Sequence, residues 1–152
     1  VVEAGRLGAT RIGHGVRLVD ALHGKAAPEL IDEAKSLGLH LEVCPTSNVH
    51  TGAVSSLNDH PFRKYLDLGL RVTLNTDNRL ISDTCVTQEY ERAVRAFGLG
   101  VGDIHELILN GFKSAFLPHR RKAILMRQVV EELESLGVPP HHAYTNGRGD
   151  HL

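Results

Sequence analysis

A pattern of one strand followed by one helix occurs three times along this chain, and this repetition limits the folds that it can adopt. Ser47 follows His14 by 33 residues and Asp77 follows Ser47 by 30, and each lies where a predicted strand ends. A length of about 30 residues is typical of a βα unit. Strands that alternate with helices at this distance indicate a parallel sheet, which is either open and doubly wound or closed as a (β/α)8 barrel.

Each unit has a short strand pattern and a helix pattern with recognisable ends. The predicted strands are the segments 10–15, 40–48 and 71–77, of which the second is stopped by Pro45. The predicted helices cover residues 28–37, 60–69, 84–99, 101–116 and 119–136. Pro28 suits a first helical turn, Thr84 or Thr87 suits the start of the third helix, and glycines follow the helix ends.

Polar residues at the ends of all three strands favour the barrel over the open sheet. They are His14, then Ser47 and Asn48, then Asp77 and Asn78. Sites in (β/α)8 barrels are built from the carboxyl ends of several strands, whereas an open sheet usually concentrates its ligand groups at one switch point. We therefore expect an α/β fold that forms part of a (β/α)8 barrel.

The composition argues against several classes of function. With 41% hydrophobic and 23% charged residues, the chain resembles one soluble globular domain. A formal net charge of −1 provides no basic surface for nucleic acid. No apolar run approaches the roughly 20 residues of a membrane span. We therefore expect neither nucleic acid nor a membrane as a partner.

The cysteines and the first residues indicate the setting of the chain. Cys44 and Cys85 show no framework spacing, which predicts free thiols in a reducing cytoplasm. The chain starts at Val1, its only methionine is Met126, and its first residues have the pattern of a helix that has already begun. We therefore expect a cytoplasmic protein with further residues upstream.

Ten histidines are many for 152 residues, but one has a setting typical of a functional group. His14 ends the first predicted strand between Gly13 and Gly15, where bare backbone allows a substrate or metal to approach and imidazole can transfer protons near neutral pH. A hydrogen-bonded imidazole in a glycine-rich turn is the alternative, and the residues alone leave both open. His40 and His50 are expected to pack or to face solvent. The other histidines are predicted at the surface: His23, His60, His105, His119, His141, His142 and His151.

Asp77 follows a strand that a parallel sheet would bury, so its carboxylate needs a compensating partner. A carboxylate at a barrel mouth is a natural ligand for zinc or magnesium. An aspartate that caps the following helix is an equally common use of this position. The chain contains no HxH, HExxH or CxxC motif that would decide between them.

Four motifs in order, RIGHG, LEVCPTSNVHTG, VTLNTDN and NGFKSAFLP, resemble the C-terminal part of the adenosine deaminase family. The resemblance covers nearly the whole chain. It implies a (β/α)8 barrel with one zinc ion, in which the three segments are strands six to eight and the last two helices close the barrel. On this basis residues 1–137 form the C-terminal part of the barrel. Residues 138–152 have little apolar content and are expected to form a flexible tail.

The resemblance also implies roles for three residues. Asp77 ligates zinc and orients the attacking water, and His14 accepts a proton from that water. Adenosine, a small-molecule purine nucleoside, is converted to inosine and ammonia. Asn78 stands where typical members have a second aspartate that contacts purine N7, and its NH2 group can donate to that acceptor directly. The remaining zinc ligands are expected upstream of Val1.

Two alternatives remain open at this point. Adenine deaminase differs from adenosine deaminase chiefly in whether a ribose fits, and the groups that sense the ribose lie partly upstream. A truncated, non-catalytic barrel fragment that folds only against a partner is the second alternative, because only one of the implied zinc ligands is present. The sequence does not indicate an oligomeric state.

Overall fold

Three short parallel strands form the centre of residues 1–98. The structure, a computed structural model, describes residues 1–138. The chain forms two compact units, of which the first is Val1–Gly98 and the second begins at Leu99. In the first unit, β1 (Arg11–Gly13), β2 (His40–Val43) and β3 (Arg71–Leu74) lie side by side in the order β1-β2-β3, all parallel. Their carboxyl ends therefore lie at one edge of the sheet.

Helices follow each strand, as the period of about 30 residues predicts. In the first unit α1 (Val2–Arg6) precedes β1. The helices after the strands are a 3-10 helix (Val16–Ala21), α2 (Glu29–Ser36), α3 (Pro45–His50), α4 (Phe62–Asp67), α5 (Arg79–Ser82) and α6 (Val86–Phe97). The second unit contains α7 (Val101–Ser114) and α8 (His119–Ser135).

The core of the first unit lies between the strands and the helices that pack against them. Leu41 and Val43 of β2 and Val72 of β3 are fully buried, and so are Phe62 and Tyr65 of α4. Side chains of this size each contribute about 1.5–3 kcal/mol when buried. The residues of β2 and β3 alternate between polar and apolar, yet most of them on both faces of the sheet are buried.

The second strand is shorter than the sequence predicts. It ends at Val43, shortly before the Pro45 that is predicted to stop it, and the residues from Pro45 to His50 form the helix α3 rather than an extension of the strand to Asn48. Proline suits the first turn of a helix because that position needs no backbone N–H donor. Ser47 and Asn48 are therefore helical residues next to the strand end. The third strand also ends early, at Leu74 rather than Asp77.

The helix α6 starts between the two threonines that the sequence suggests. Its N-cap residue is Cys85, whose backbone N–H donates to Gln88 Oε1 at 3.0 Å. Thr84 uses its hydroxyl differently, since Oγ1 donates to the buried carboxylate of Glu89 at 2.7 Å. Both cysteines of the chain are free, as expected.

Two histidines predicted at the surface are buried instead. His60 is 5% exposed in the first unit and His105 is 3% exposed in the second. Each lies in a segment rich in polar residues, which conceals the burial that packing imposes. His23, His50 and His119 are exposed. His141, His142 and His151 lie outside the described residues.

The described part of the second unit, residues 99–138, contains two helices. Leu107 and Leu109 of α7 are buried, and Lys122 of α8 donates to the carbonyl of Lys113 at 2.8 Å. No helix within residues 1–138 is long and apolar enough to cross a membrane. Apart from Val138, the predicted flexible tail lies outside the described residues, so its boundary stays a prediction.

Candidate active site

Polar side chains from the ends of all three strands meet at the carboxyl edge of the sheet. His14 directly follows β1, Ser47 and Asn48 lie on α3 after β2, and Asp77 lies three residues beyond β3. Parallel strands in register bring these ends together: Gly13 is paired with Glu42, and Val43 with Leu74. The edge that the sequence predicts as a site is therefore formed.

His14 and Asp77 face each other across this edge. His14 Nε2 lies 3.8 Å from Asp77 Oδ2, and the two side chains are 45% and 42% exposed. This separation is longer than a hydrogen bond. Both groups can therefore be reached by a small molecule from solvent.

The backbone is strained at both residues. His14 has φ +61° and Asp77 has φ +58°, and Asp83 is the only other non-glycine residue with positive φ in the described part of the chain. The left-handed conformation costs an L-residue roughly 1–2 kcal/mol. Such strain persists where surrounding structure enforces it, and it clusters at active sites.

Packing enforces the turn around His14. The next residue, Gly15, also has positive φ, and a Cβ added there would lie 3.0 Å from Leu41 Cδ2. The side chain of Tyr65 donates to the carbonyls of Gly15 and Val16, at 3.1 and 2.8 Å. The turn that presents the imidazole is thus held by the core.

Ser47 fixes one oxygen of the Asp77 carboxylate. Its hydroxyl donates to Oδ2 at 2.7 Å, while Oδ1 accepts no hydrogen bond from residues 1–138. The nearby Cys44 is not a competing functional group, because burial, with the charges of Asp77 and Glu89, raises the pKa of its thiol to about 12. Asp77 Oδ1 is therefore the oxygen that is available to accept a hydrogen bond or to bind a cation at this edge of the sheet.

Asn48 and His60 form a buried connection to His14, which the sequence does not predict. Asn48 Nδ2 lies 3.0 Å from His14 Nδ1, and Asn48 Oδ1 lies 3.0 Å from His60 Nε2. The backbone N–H of Phe62 donates to His60 Nδ1 at 3.1 Å. Burial lowers the pKa of His60 to about 4, so this ring is neutral near neutral pH.

A buried carboxylate anchors α3 beneath the site. Glu89 is 1% exposed, and it accepts from Thr84 Oγ1 at 2.7 Å, from Arg92 Nη1 at 3.2 Å and from the backbone N–H of Thr46 at 3.3 Å. Arg92 also donates to Thr46 Oγ1 at 2.9 Å. Because its oxygens are already used by the protein, Glu89 is structural. It holds the helix that carries Ser47 and Asn48.

A sequence model of the family described as Adenosine deaminase matches residues 2–132. The chain belongs to the adenosine deaminase family. Adenosine deaminase of Mycobacterium leprae is 42% identical over 129 residues, and that of Mycobacteroides abscessus is 44% identical over 129 residues. Each alignment covers 82% of this chain and 36% of the relative, so the chain spans about a third of the length of these curated relatives.

Solved structures show the same architecture. Adenine deaminase from Arthrobacter aurescens superimposes with a TM-score of 0.74 and 30% identity over 84% of this chain and 37% of that protein. An amidohydrolase from Burkholderia ambifaria, solved with bound zinc, gives 0.75 and 26% over 87% and 35%. These likenesses confirm the predicted fold, a portion of an α/β barrel of the (β/α)8 type.

Within this family the position of Asn78 is informative. Asn78 is the N-cap of α5, and its Oδ1 accepts from the backbone N–H groups of Leu80 and Ile81, at 3.1 and 3.0 Å. The capping function that is an alternative for Asp77 thus belongs to the next residue. Asn78 is exposed, and its NH2 group donates no hydrogen bond within the described residues. It therefore stays available to a ligand.

The described residues do not form a metal site by themselves. No group of three or more His, Cys, Asp or Glu side chains that could hold a metal occurs within residues 1–138. Catalytic zinc sites usually have three protein ligands and one open position. The free, oriented oxygen of Asp77 fits one such ligand. The other donors would have to come from outside residues 1–138.

Proposed function

We propose that this chain, together with the remainder of its barrel, catalyses the zinc-dependent hydrolytic deamination of adenosine to inosine and ammonia. The observation that carries this proposal is the pair His14 and Asp77. They are strained, accessible residues at two strand ends, 3.8 Å apart. Membership of the adenosine deaminase family supports the chemistry.

Asp77 is the proposed zinc ligand of this chain. Bound zinc would lower the pKa of water so that hydroxide forms near neutral pH. Ser47 holds Oδ2 at 2.7 Å and so directs the other oxygen outward. A carboxylate that is fixed in advance loses less freedom when it binds a cation.

His14 and Asn78 are proposed to act on the reactants. The imidazole Nε2 of His14 lies beside the Asp77 carboxylate, where it can exchange a hydrogen bond with the attacking water. The NH2 group of Asn78 is proposed to donate to purine N7. A small-molecule purine nucleoside is therefore the expected partner, and a cytoplasmic location stays a prediction.

Adenine deaminase is the second candidate. The structural likeness to a protein named adenine deaminase, at 30% identity, favours it. The two activities are separated by comparing kcat/KM for adenosine and for adenine in one preparation. We expect adenosine to be preferred, and a preference for adenine would replace the first candidate with the second.

The test uses the full-length product of the reading frame that encodes this chain. Zinc content and the loss of adenosine absorbance are measured for the wild type, for Asp77→Ala and for His14→Ala. We expect stoichiometric zinc and turnover in the wild type. Asp77→Ala should lose both, whereas His14→Ala should keep zinc and lose turnover. If both variants lose zinc equally, the proposed division of roles is wrong.

Asp83→Ala is the matched control for Asp77→Ala. Asp83 is also an exposed aspartate with positive φ, at +44°, and it ends α5. We expect zinc and turnover to be retained in this variant. A loss equal to that of Asp77→Ala would mean that the effect comes from altered backbone rather than from a ligand.

The chain without the remainder of the barrel is expected to be inactive. Residues 1–138 offer one suitable carboxylate and no cluster of three metal-binding groups. Metal analysis and an adenosine assay on the 152-residue chain should show neither stoichiometric zinc nor turnover. Finding both would contradict the need for further ligands.

A further inference from the structure

A backbone amide sets the direction of the hydrogen bonds that connect His60 through Asn48 to His14. The N–H group of Phe62 can only donate a hydrogen bond, and it points at His60 Nδ1 at 3.1 Å. That nitrogen must therefore be the acceptor and carry no proton. Burial lowers the pKa of His60, so its ring is neutral, and its single N–H lies on Nε2.

The two ends of the Asn48 amide carry the same hydrogen-bond direction on to His14. His60 Nε2, which carries the proton, lies 3.0 Å from Asn48 Oδ1, the end of the amide that accepts. The other end, Nδ2, carries only donors, and it lies 3.0 Å from His14 Nδ1. Asn48 is 2% exposed, so solvent does not compete for either bond.

Reversing one bond would require reversing all of them. If Asn48 were turned so that Oδ1 faced His14, its NH2 group would face His60 Nε2, which would have to lose its proton. The proton of His60 would then lie on Nδ1, against the N–H of Phe62. Two donors would then face each other in a buried place, where neither could be paired.

We propose that His60 is a positioning residue for the site: acting through Asn48, it holds neutral His14 as the tautomer with its proton on Nε2, directed at Asp77. The link to catalysis rests on the proposed function, whereas the tautomer itself does not. This tautomer differs from the one that the sequence resemblance implies, because a proton acceptor at Nε2 must be bare. Neutral His14 is a hydrogen-bond donor towards the space beside Asp77.

The tautomer is tested by ¹⁵N NMR of the full-length product labelled in its histidine rings. Protonated and bare ring nitrogens give well-separated signals, so each tautomer can be read directly. We expect both His14 and His60 to show a protonated Nε2 and a bare Nδ1 at neutral pH. A protonated Nδ1 on His14 in the wild type would overturn the proposal, whether or not the protein is a deaminase.

Two variants of His60 separate its donor function from its packing. The centroid of the His60 ring lies 6.3 Å from that of Phe62 and 5.8 Å from that of Phe97. His60→Phe keeps a ring and removes the donor, whereas His60→Gln removes the ring and keeps an N–H donor. We expect the His14 signals to become a mixture of tautomers in His60→Phe and to stay as in the wild type in His60→Gln.

Kinetics of the same variants complete the test. In an active protein, His60→Phe should lower kcat about 10-fold to 100-fold with KM and zinc content unchanged, and His60→Gln should restore most of it. Equal losses in both variants, or unchanged His14 signals in His60→Phe, would overturn the positioning role. A wild type without deaminase activity but with the expected tautomers would contradict the proposed function. It would still support the proposal that His60, through Asn48, sets the tautomer of His14.

Discussion

The sheet ends in two different ways at its carboxyl edge. Beyond the outer strands β1 and β3 the chain places His14 and Asp77 in left-handed conformations, with side chains more than 40% exposed. Beyond the central strand β2 it forms the regular helix α3, whose residues Ser47 and Asn48 are 5% and 2% exposed. The groups suited to chemistry stand on strained backbone, and the groups that orient them are buried on relaxed backbone.

This difference shows how the local strain is supported. Ser47 bonds to Asp77 and Asn48 to His14, so each exposed group has one buried partner on α3. The helix is itself held by the Glu89 and Arg92 network through Thr46. A buried, hydrogen-bonded layer of this kind can hold reactive groups in one geometry at some cost in local stability.

The largest expected effect is a loss of stability at low pH that arises on the buried side. Folded His60 has a pKa of about 4 because burial disfavours its charged form, whereas an exposed histidine has about 6.5. Between these values the unfolded state binds more protons, so the free energy of unfolding falls as the pH is lowered from about 6.5 to about 4. The full loss is about 3 kcal/mol.

Urea denaturation of the full-length product at several pH values measures this loss. His60→Phe should flatten the pH dependence by the contribution of one proton, because phenylalanine does not titrate. An unchanged slope in the variant would show that the acid sensitivity comes from another group.

The next effect concerns the two buried polar residues of α3. Asn48→Leu leaves the buried N–H of His60 without an acceptor, which costs about 2 kcal/mol of unfolding free energy. Ser47→Ala is the comparison on the same helix. It removes a single hydroxyl that faces an exposed carboxylate, so it should cost less, about 1 kcal/mol. Urea denaturation of both variants measures the two losses of unfolding free energy. A loss in Ser47→Ala that equals or exceeds that in Asn48→Leu would contradict the buried character of the hydrogen bonds between His60, Asn48 and His14.

The smallest effect separates strained from relaxed backbone. At Asp77, glycine should be more stabilising than alanine by about 1 kcal/mol, because glycine adopts positive φ without strain. At Ser47, inside α3, alanine should be more stabilising than glycine by about the same amount. Thermal melting of the four variants gives the two differences. The same sign at both positions would mean that the positive φ of Asp77 does not lower stability.

The sequence predicts the number, order and spacing of the strands well because βα spacing is a local property, although each strand is shorter than predicted. The periodic positions of His14, Ser47 and Asp77 place the candidate site on one edge before any contact is known. The prediction that Pro45 stops β2 is confirmed, because the strand ends at Val43, but the sequence does not predict that a helix starts at this proline. Pro45 starts α3.

The supporting layer could not be predicted because it depends on contacts between distant parts of the chain. His60 lies in a polar segment, yet tertiary packing buries it against Phe62 and Phe97. Asn48 is recognisable as a polar group near a strand end, but its two partners lie 34 and 12 residues away in sequence. The capping role of Asn78 has a local signal, since asparagine is a favoured N-cap residue.

The most direct test of the central claim is the position of zinc in a crystal structure of the full-length product, located by anomalous scattering at the zinc absorption edge. We expect zinc at about 2.0–2.2 Å from an oxygen of Asp77, with Ser47 still bonded to the other oxygen and His14 Nε2 facing the same space. A zinc ion that lies away from Asp77, or a catalytically active protein without zinc at this edge of the sheet, would contradict the claim.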